Sequence, residues 1–160
     1  MTVERLSENS GKPMAKVMAI AIAVVFAIVT FGITRPGHSL QNSSSVLGLM
    51  TLKATTQAAI PYEVAMANQK PSLVEFYADW CTTCQAMAPT LQSVHHQMGD
   101  QVNFVMINID DPQWLDQIKQ FQVSGVPHLT LLNTDQTIAA TFIGEVPKRV
   151  ITNRLTELLG

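Results

Sequence analysis

The chain holds two cysteines, placed in Trp80-Cys81-Thr82-Thr83-Cys84. Two intervening residues let such sulfurs close a disulfide. The thiolate is the nucleophile in disulfide exchange, and a helix N-terminus stabilises it through unpaired N–H donors and a partial positive charge. The pair is therefore suited to thiol–disulfide exchange. Cys81, at the exposed end of the turn, would attack a substrate disulfide, and Cys84, one turn in, would resolve the mixed disulfide. Two other uses compete. A zinc site needs four ligands; there is no third cysteine, and His95 and His96 are adjacent on one helix and point in different directions. A structural disulfide without turnover would stabilise little, because so short a loop constrains the unfolded chain weakly.

The elements around the pair give it that position. Ser72 to Ala78 is a short, mostly apolar run of the buried-strand kind. From Cys84 to about Met98, the residues Met87, Leu91, Val94 and Met98 recur at helical spacing, and Gly99-Asp100 stops that helix. Val102–Ile109 reads as a second buried strand. Asp111 is a cap for a helix over 113–121, His128–Leu132 is a third strand, and Thr137–Ile143 a fourth. A short helix over 61–68 opens the series. A terminal helix over 147–159 closes it, with Val150, Ile151, Leu155, Leu158 and Leu159 inward. Strand–helix–strand requires a parallel pair with a right-handed crossover, and the four-residue turn Asn133–Gln136 makes the last two strands antiparallel. The expected architecture is α/β, a mixed four-stranded sheet with helices on both faces. His95 and His96 read as a solvated helix face. Asp110, Asp111 and Asp116 read as caps and surface charge, and His128 either as a group that tunes the thiols or contacts substrate or as a polar strand start.

Glu75-Phe-Tyr-Ala-Asp-Trp-Cys-Thr-Thr-Cys84, Pro89, Gly125-Val126-Pro127 and Phe142-Ile143-Gly144 together resemble the thioredoxin superfamily over residues 61–160. The resemblance implies a thioredoxin-like fold and a cis Val126–Pro127 bond, a geometry rare enough to be a feature rather than noise. It implies that Trp80, Gly125, Val126, Pro127, Ile143 and Gly144 line a substrate-docking surface, with the Val126 backbone pairing to an extended segment. It also makes Glu75 the buried acid beneath the disulfide, with a raised pKa and able to take the Cys84 proton. The alternative for Glu75 is a partly exposed strand-end residue. The chain departs from the family pattern in three places: Thr82-Thr83 between the cysteines, Glu75 rather than Asp, and Met106 where many thioredoxins carry a Lys. No cofactor is implied.

The rest of the chain bears on location. Of 160 residues, 47 % are apolar and 14 % charged, with a mean hydropathy of +0.18; globular chains carry about 25 % charge. The excess is local. Val17–Ile33 holds only Thr30 and Gly32 that are not strongly apolar, and no charge falls between Lys16 and Arg35. As a helix that run spans roughly 27 Å, near the thickness of a bilayer core. Gly-Ile-Thr-Arg-Pro-Gly after it makes a poor signal-peptide cleavage site. The reading is a cytoplasmic N-terminal segment at 1–16, a transmembrane anchor at 17–34, a linker at 35–60 and the domain at 61–160; the linker is polar at Gln41–Ser45 and reads as a flexible tether, the alternative being that the mildly apolar Val46–Leu52 lies on the membrane or on the domain. Arg5, Lys12 and Lys16 precede the span and only Arg35 closely follows it, so the N-terminus faces the cytoplasm or stroma. The formal charge of −2 divides into +3 over residues 1–60 and −5 over 61–160, which argues against nucleic-acid binding.

An anchor followed by a compact domain resembles the membrane-anchored thioredoxin-like proteins of cyanobacteria and chloroplast thylakoids. That likeness implies a disulfide reductase in the thylakoid lumen or periplasm. Its electrons would come from a CcdA-type membrane donor, and its protein substrates would include apocytochromes and subunits of the cytochrome b6f complex. The alternatives are a disulfide oxidase or isomerase of the same fold, or a redox-independent assembly factor or metallochaperone.

Overall fold

A computed structural model describes residues 38–160, with side chains from residue 45 onward. The expected N-terminal segment and anchor, 1–16 and 17–34, lie outside the described residues. Among the described residues no helix is long and apolar enough to cross a membrane.

The elements run α1 (His38–Ala58), α2 (Tyr62–Ala67), β1 (Ser72–Tyr77), α3 (Thr82–Met98), β2 (Asn103–Asn108), a 3-10 turn (Pro112–Trp114), α4 (Leu115–Gln120), β3 (His128–Leu132), β4 (Ile138–Ile143) and α5 (Lys148–Leu159). The sheet order is β2-β1-β3-β4. β1 and β2 are parallel, and β1–β3 and β3–β4 are antiparallel. This is the mixed four-stranded sheet expected from element order, and β1 is central and buried along its whole length.

Strand alternation divides the core into two layers. Leu73, Phe104, Leu129 and Leu131 pack with Met87, Leu91 and Val94 of α3 and with Ile151 and Leu155 of α5. Val74, Phe76, Val105, Ile107 and Leu132 pack on the opposite face with Ala65 of α2 and with Phe121, which follows α4. On α5, Val150 and Leu158 are partly buried against the core, but Leu159 is exposed, since it is the last helical residue and extends past the sheet.

The expected linker differs most from the structure. Residues 38–58 are one helix of 21 residues, and Gly48, Leu52 and Thr55 are buried on it. These positions are spaced i, i+4 and i+7 and so form one stripe. The segment thus lies on the domain, the alternative to a tether; a glycine, a leucine and a threonine make too weak a hydropathy signal to choose between the two. Burying Leu52 contributes on the order of 1.5–3 kcal/mol, which holds this segment to the domain. The Ile60 N–H then donates to the Phe104 carbonyl at 2.9 Å and joins the following chain to β2.

Candidate functional site

Cys81 and Cys84 form a disulfide with a Cα–Cα distance of 5.2 Å. Cys81 is the N-cap residue of α3, and the Cys84 backbone N–H donates to its Sγ at 3.0 Å. Cys81 retains 5 % of its surface and Cys84 none. The sulfur at the cap is thus the reachable one, and the helix N-terminus points donors at it. The chain enters through a tight turn in which the Cys81 N–H donates to the Ala78 carbonyl at 3.1 Å. The Gln85 side-chain amide donates to the Asp79 carbonyl at 2.7 Å.

Both cysteines belong to an apolar cluster with Leu52, Tyr77, Ala78 and Ala88, against which Met106, Ile109 and Val126 pack. Glu75 is fully buried, and by strand alternation it faces the α3 side of the sheet with Leu73 and Tyr77. Its register partners are Met106 on β2 and Leu129 on β3, so no cation faces it across the sheet. Among the described residues neither carboxyl oxygen has a hydrogen-bond partner. Burial pushes its pKa up to about 8, because a charge in this environment is poorly solvated. Glu75 is therefore a buried acid and not a partly exposed strand end. Met106, its register partner on β2, packs against the cysteine cluster.

Val126–Pro127 is cis, and Val126 packs on the cysteine cluster. The Gly144 N–H donates to the Pro127 carbonyl at 2.8 Å, and Gly144 has φ +86°, a conformation that favours glycine. A Cβ at Gly125 would stand 3.9 Å from Ile143 Cγ2. Gly125, Val126, Pro127, Ile143 and Gly144 thus converge beside the disulfide. Trp80 and Ile143 are large apolar side chains left 64 % and 58 % exposed. The fold therefore brings together the residues that the sequence pattern grouped.

Three features were not expected. The Trp80 indole N–H donates to Asp110 Oδ2 at 2.9 Å, so Asp110 orients the exposed ring as well as carrying charge. His128 is buried, stacks edge-on against Phe76 at 5.6 Å between centroids and has no partner on either ring nitrogen, which makes it a core residue rather than a polar strand start. Burial lowers its pKa. His95 packs on Phe104 with centroids 4.7 Å apart and is half-buried, whereas His96 is exposed. Asp111 is a cap, accepting from the Gln113 N–H at 3.1 Å, but what it caps is the 3-10 turn Pro112–Trp114, and the α-helix expected over 113–121 is confined to Leu115–Gln120.

The family model described as Thioredoxin matches residues 51–157. The chain belongs to the thioredoxin family. That match begins inside α1, ten residues before the expected domain start, in keeping with the docking of this helix. Among curated thioredoxin-like relatives, the chain is 45 % identical over 111 residues to the "Thiol:disulfide interchange protein TxlA homolog" of Synechocystis sp., covering 69 % of this chain and 62 % of that protein. It is 34 % identical over 151 residues to "Thioredoxin-like protein HCF164, chloroplastic" of Arabidopsis thaliana, covering 94 % and 54 %. It is 36 % identical over 147 residues to the "Thiol:disulfide interchange protein TxlA" of Synechococcus elongatus, covering 91 % and 72 %. The chain thus spans a little over half the length of the first two. The germline-specific thioredoxin Deadhead of Drosophila melanogaster shares the fold, with a TM-score of 0.52 and 23 % identity over 60 % of this chain and 88 % of that one.

Proposed function

We propose that the chain is a membrane-anchored protein-disulfide oxidoreductase acting as a reductase on the lumenal or periplasmic side of its membrane. The observation that carries this is the Cys81–Cys84 disulfide, with the reachable sulfur at the cap of α3. Relatives named thiol:disulfide interchange proteins support it. In the reduced form the Cys81 thiolate attacks one sulfur of a substrate disulfide. A bond forms between Cys81 and that sulfur, and the other substrate sulfur leaves as a thiolate and takes up a proton. Glu75, in its ionised form, which is the minor one below about pH 8, accepts the Cys84 proton. The Cys84 thiolate then attacks Cys81 Sγ, which closes the internal disulfide and releases the second substrate thiol. Two electrons pass to the substrate, and a dithiol donor must return them. Trp80, Gly125, Val126, Pro127, Ile143 and Gly144 hold the substrate segment.

The apolar run at 17–34 is read as the anchor, with the N-terminus cytoplasmic or stromal. A CcdA-type membrane protein is the class of donor that fits, and an anchor raises the effective concentration of the domain beside it. Apocytochromes awaiting haem, in c-type cytochrome and b6f assembly, are the substrates in this reading. The test is insulin reduction together with the reduction potential of the Cys81–Cys84 couple. A reductase lies well below about −180 mV; a value between about −120 and −180 mV makes the protein an oxidase or isomerase. Full complementation by a Cys81→Ser, Cys84→Ser double variant would leave only a redox-independent role.

A further inference from the structure

Three contacts from α1 converge on the short stretch that carries the cysteines. A Cβ at Gly48 would stand 3.0 Å from the Gln85 carbonyl oxygen and 3.1 Å from Gln85 Cβ, so α1 and the first turn of α3 meet at a distance that only glycine fits without displacement. Pro89 lies inside α3 and has no N–H, so the Gln85 carbonyl lacks its i+4 helical donor; this is the carbonyl that Gly48 approaches. One turn on, Leu52 is fully buried in the cluster that contains both cysteines. The next residue, Lys53, makes an ion pair with Asp79, two residues before Cys81. Gln85 closes the ring by donating to the Asp79 carbonyl. Gly48, Leu52 and Lys53 thus hold Gln85, the cysteine cluster and Asp79 respectively.

We propose that α1 is a positioning element of the redox site, and that Lys53 is a positioning residue which, by balancing Asp79, sets how readily Cys81 holds its thiolate. The proposal rests on the redox reading above. Among the described residues, the charged groups tied to this loop are Lys53 and Asp79 on one side and Asp110 through the Trp80 indole on the other, with Glu75 buried in the adjoining strand. Without Lys53, the Asp79 carboxylate stands uncompensated near the forming thiolate and disfavours it. The pair is exposed, so it contributes little to fold stability. An effect on the thiol therefore cannot be mistaken for unfolding.

The experiment titrates the reduced full chain by thiolate ultraviolet absorbance at low salt. Lys53→Met is expected to raise the Cys81 titration midpoint by about half a unit, roughly a threefold loss of thiolate at neutral pH, and the shift should shrink at high salt. Lys53→Arg should titrate like the unaltered chain. Lys53→Met combined with Asp79→Asn should return towards it, since both charges are then gone. Gly48→Val tests the same element without changing charge, by pushing α1 off Gln85, and should also move the midpoint. Unmoved midpoints in Lys53→Met and Gly48→Val, with thermal midpoints like that of the unaltered chain, would overturn the proposal. Insulin reduction by the unaltered chain reports on the redox reading separately; a chain that titrates as described but reduces no disulfide overturns that reading and leaves the effect of Lys53 on the thiol standing.

Discussion

The Cys84 backbone N–H donates to Cys81 Sγ at 3.0 Å, which makes the cysteine sulfur the capping acceptor of α3. The cap position is normally filled by an oxygen acceptor that satisfies an orphan helical N–H. Here a sulfur takes that place, and the same interaction favours its anionic form after reduction.

From this follows an asymmetry between the two thiols. In the reduced protein Cys81 should titrate below the ordinary cysteine value of about 8.5, while the fully buried Cys84 should stay protonated through the same range. Incubating Cys84→Ser with a disulfide substrate should accumulate a mixed disulfide at Cys81, seen by mass spectrometry and released by dithiothreitol. Cys81→Ser should trap almost nothing. Equal trapping by the two variants would contradict the assigned order of attack.

Glu75 should make the folded domain lose stability as pH rises. Its folded pKa, about 8, lies above its ordinary value of 4.5, so between these values the native state holds a proton that the unfolded state releases. Its contribution is complete below pH 4.5 and is lost as pH rises through about 8. Urea denaturation of the oxidised protein at pH 5 and pH 9 should show a fall in unfolding free energy that Glu75→Gln removes. If Glu75 also takes the Cys84 proton, the same variant should slow mixed-disulfide resolution in a stopped-flow assay.

His128 should act in the opposite direction. Burial lowers its pKa from 6.5, so the native state prefers the neutral ring. Its contribution is present above pH 6.5 and is lost as pH falls through its lowered native value. His128→Leu should flatten the acid limb of the stability profile between pH 7 and pH 4, measured by thermal melts across that range. An acid limb unchanged in the variant would mean that the ring is solvated in solution.

Leu52 tests whether the helix preceding the expected domain belongs to the fold. It is fully buried, and removing such a side chain typically costs about 2–5 kcal/mol. Leu52→Ala should lower the denaturation midpoint accordingly, whereas Leu47→Ala, on the exposed side of the same helix, should leave it within experimental error. A tether would tolerate both changes equally.

The sequence by itself determined most of what surrounds the cysteines. Two apolar strands flanking a helix of regular spacing permit only a parallel pair with a crossover, and this places Cys81-Thr82-Thr83-Cys84 at a strand-to-helix junction whatever the remaining packing. The turn at 133–136 similarly determined the antiparallel hairpin of β3 and β4. These features are local or follow from chirality, so they are visible in one dimension. Glu75 was legible only through its place in a pattern; nothing in its own neighbourhood in the chain separates a buried acid from one at a strand end.

Tertiary structure alone decided the rest. Gly48, Leu52 and Thr55 form a buried stripe only because the surface they meet accepts a bare backbone, one leucine and a hydroxyl, and that complementarity belongs to the surface as much as to the helix. The ion pair Lys53–Asp79 and the bond from Trp80 to Asp110 join residues 26 and 30 positions apart. His128 is buried because Phe76 lies against it in the folded sheet. In each case the partner is distant in the chain, and the energy of the contact depends on burial, a property that residue type does not carry until the sheet and its covering helices have assembled.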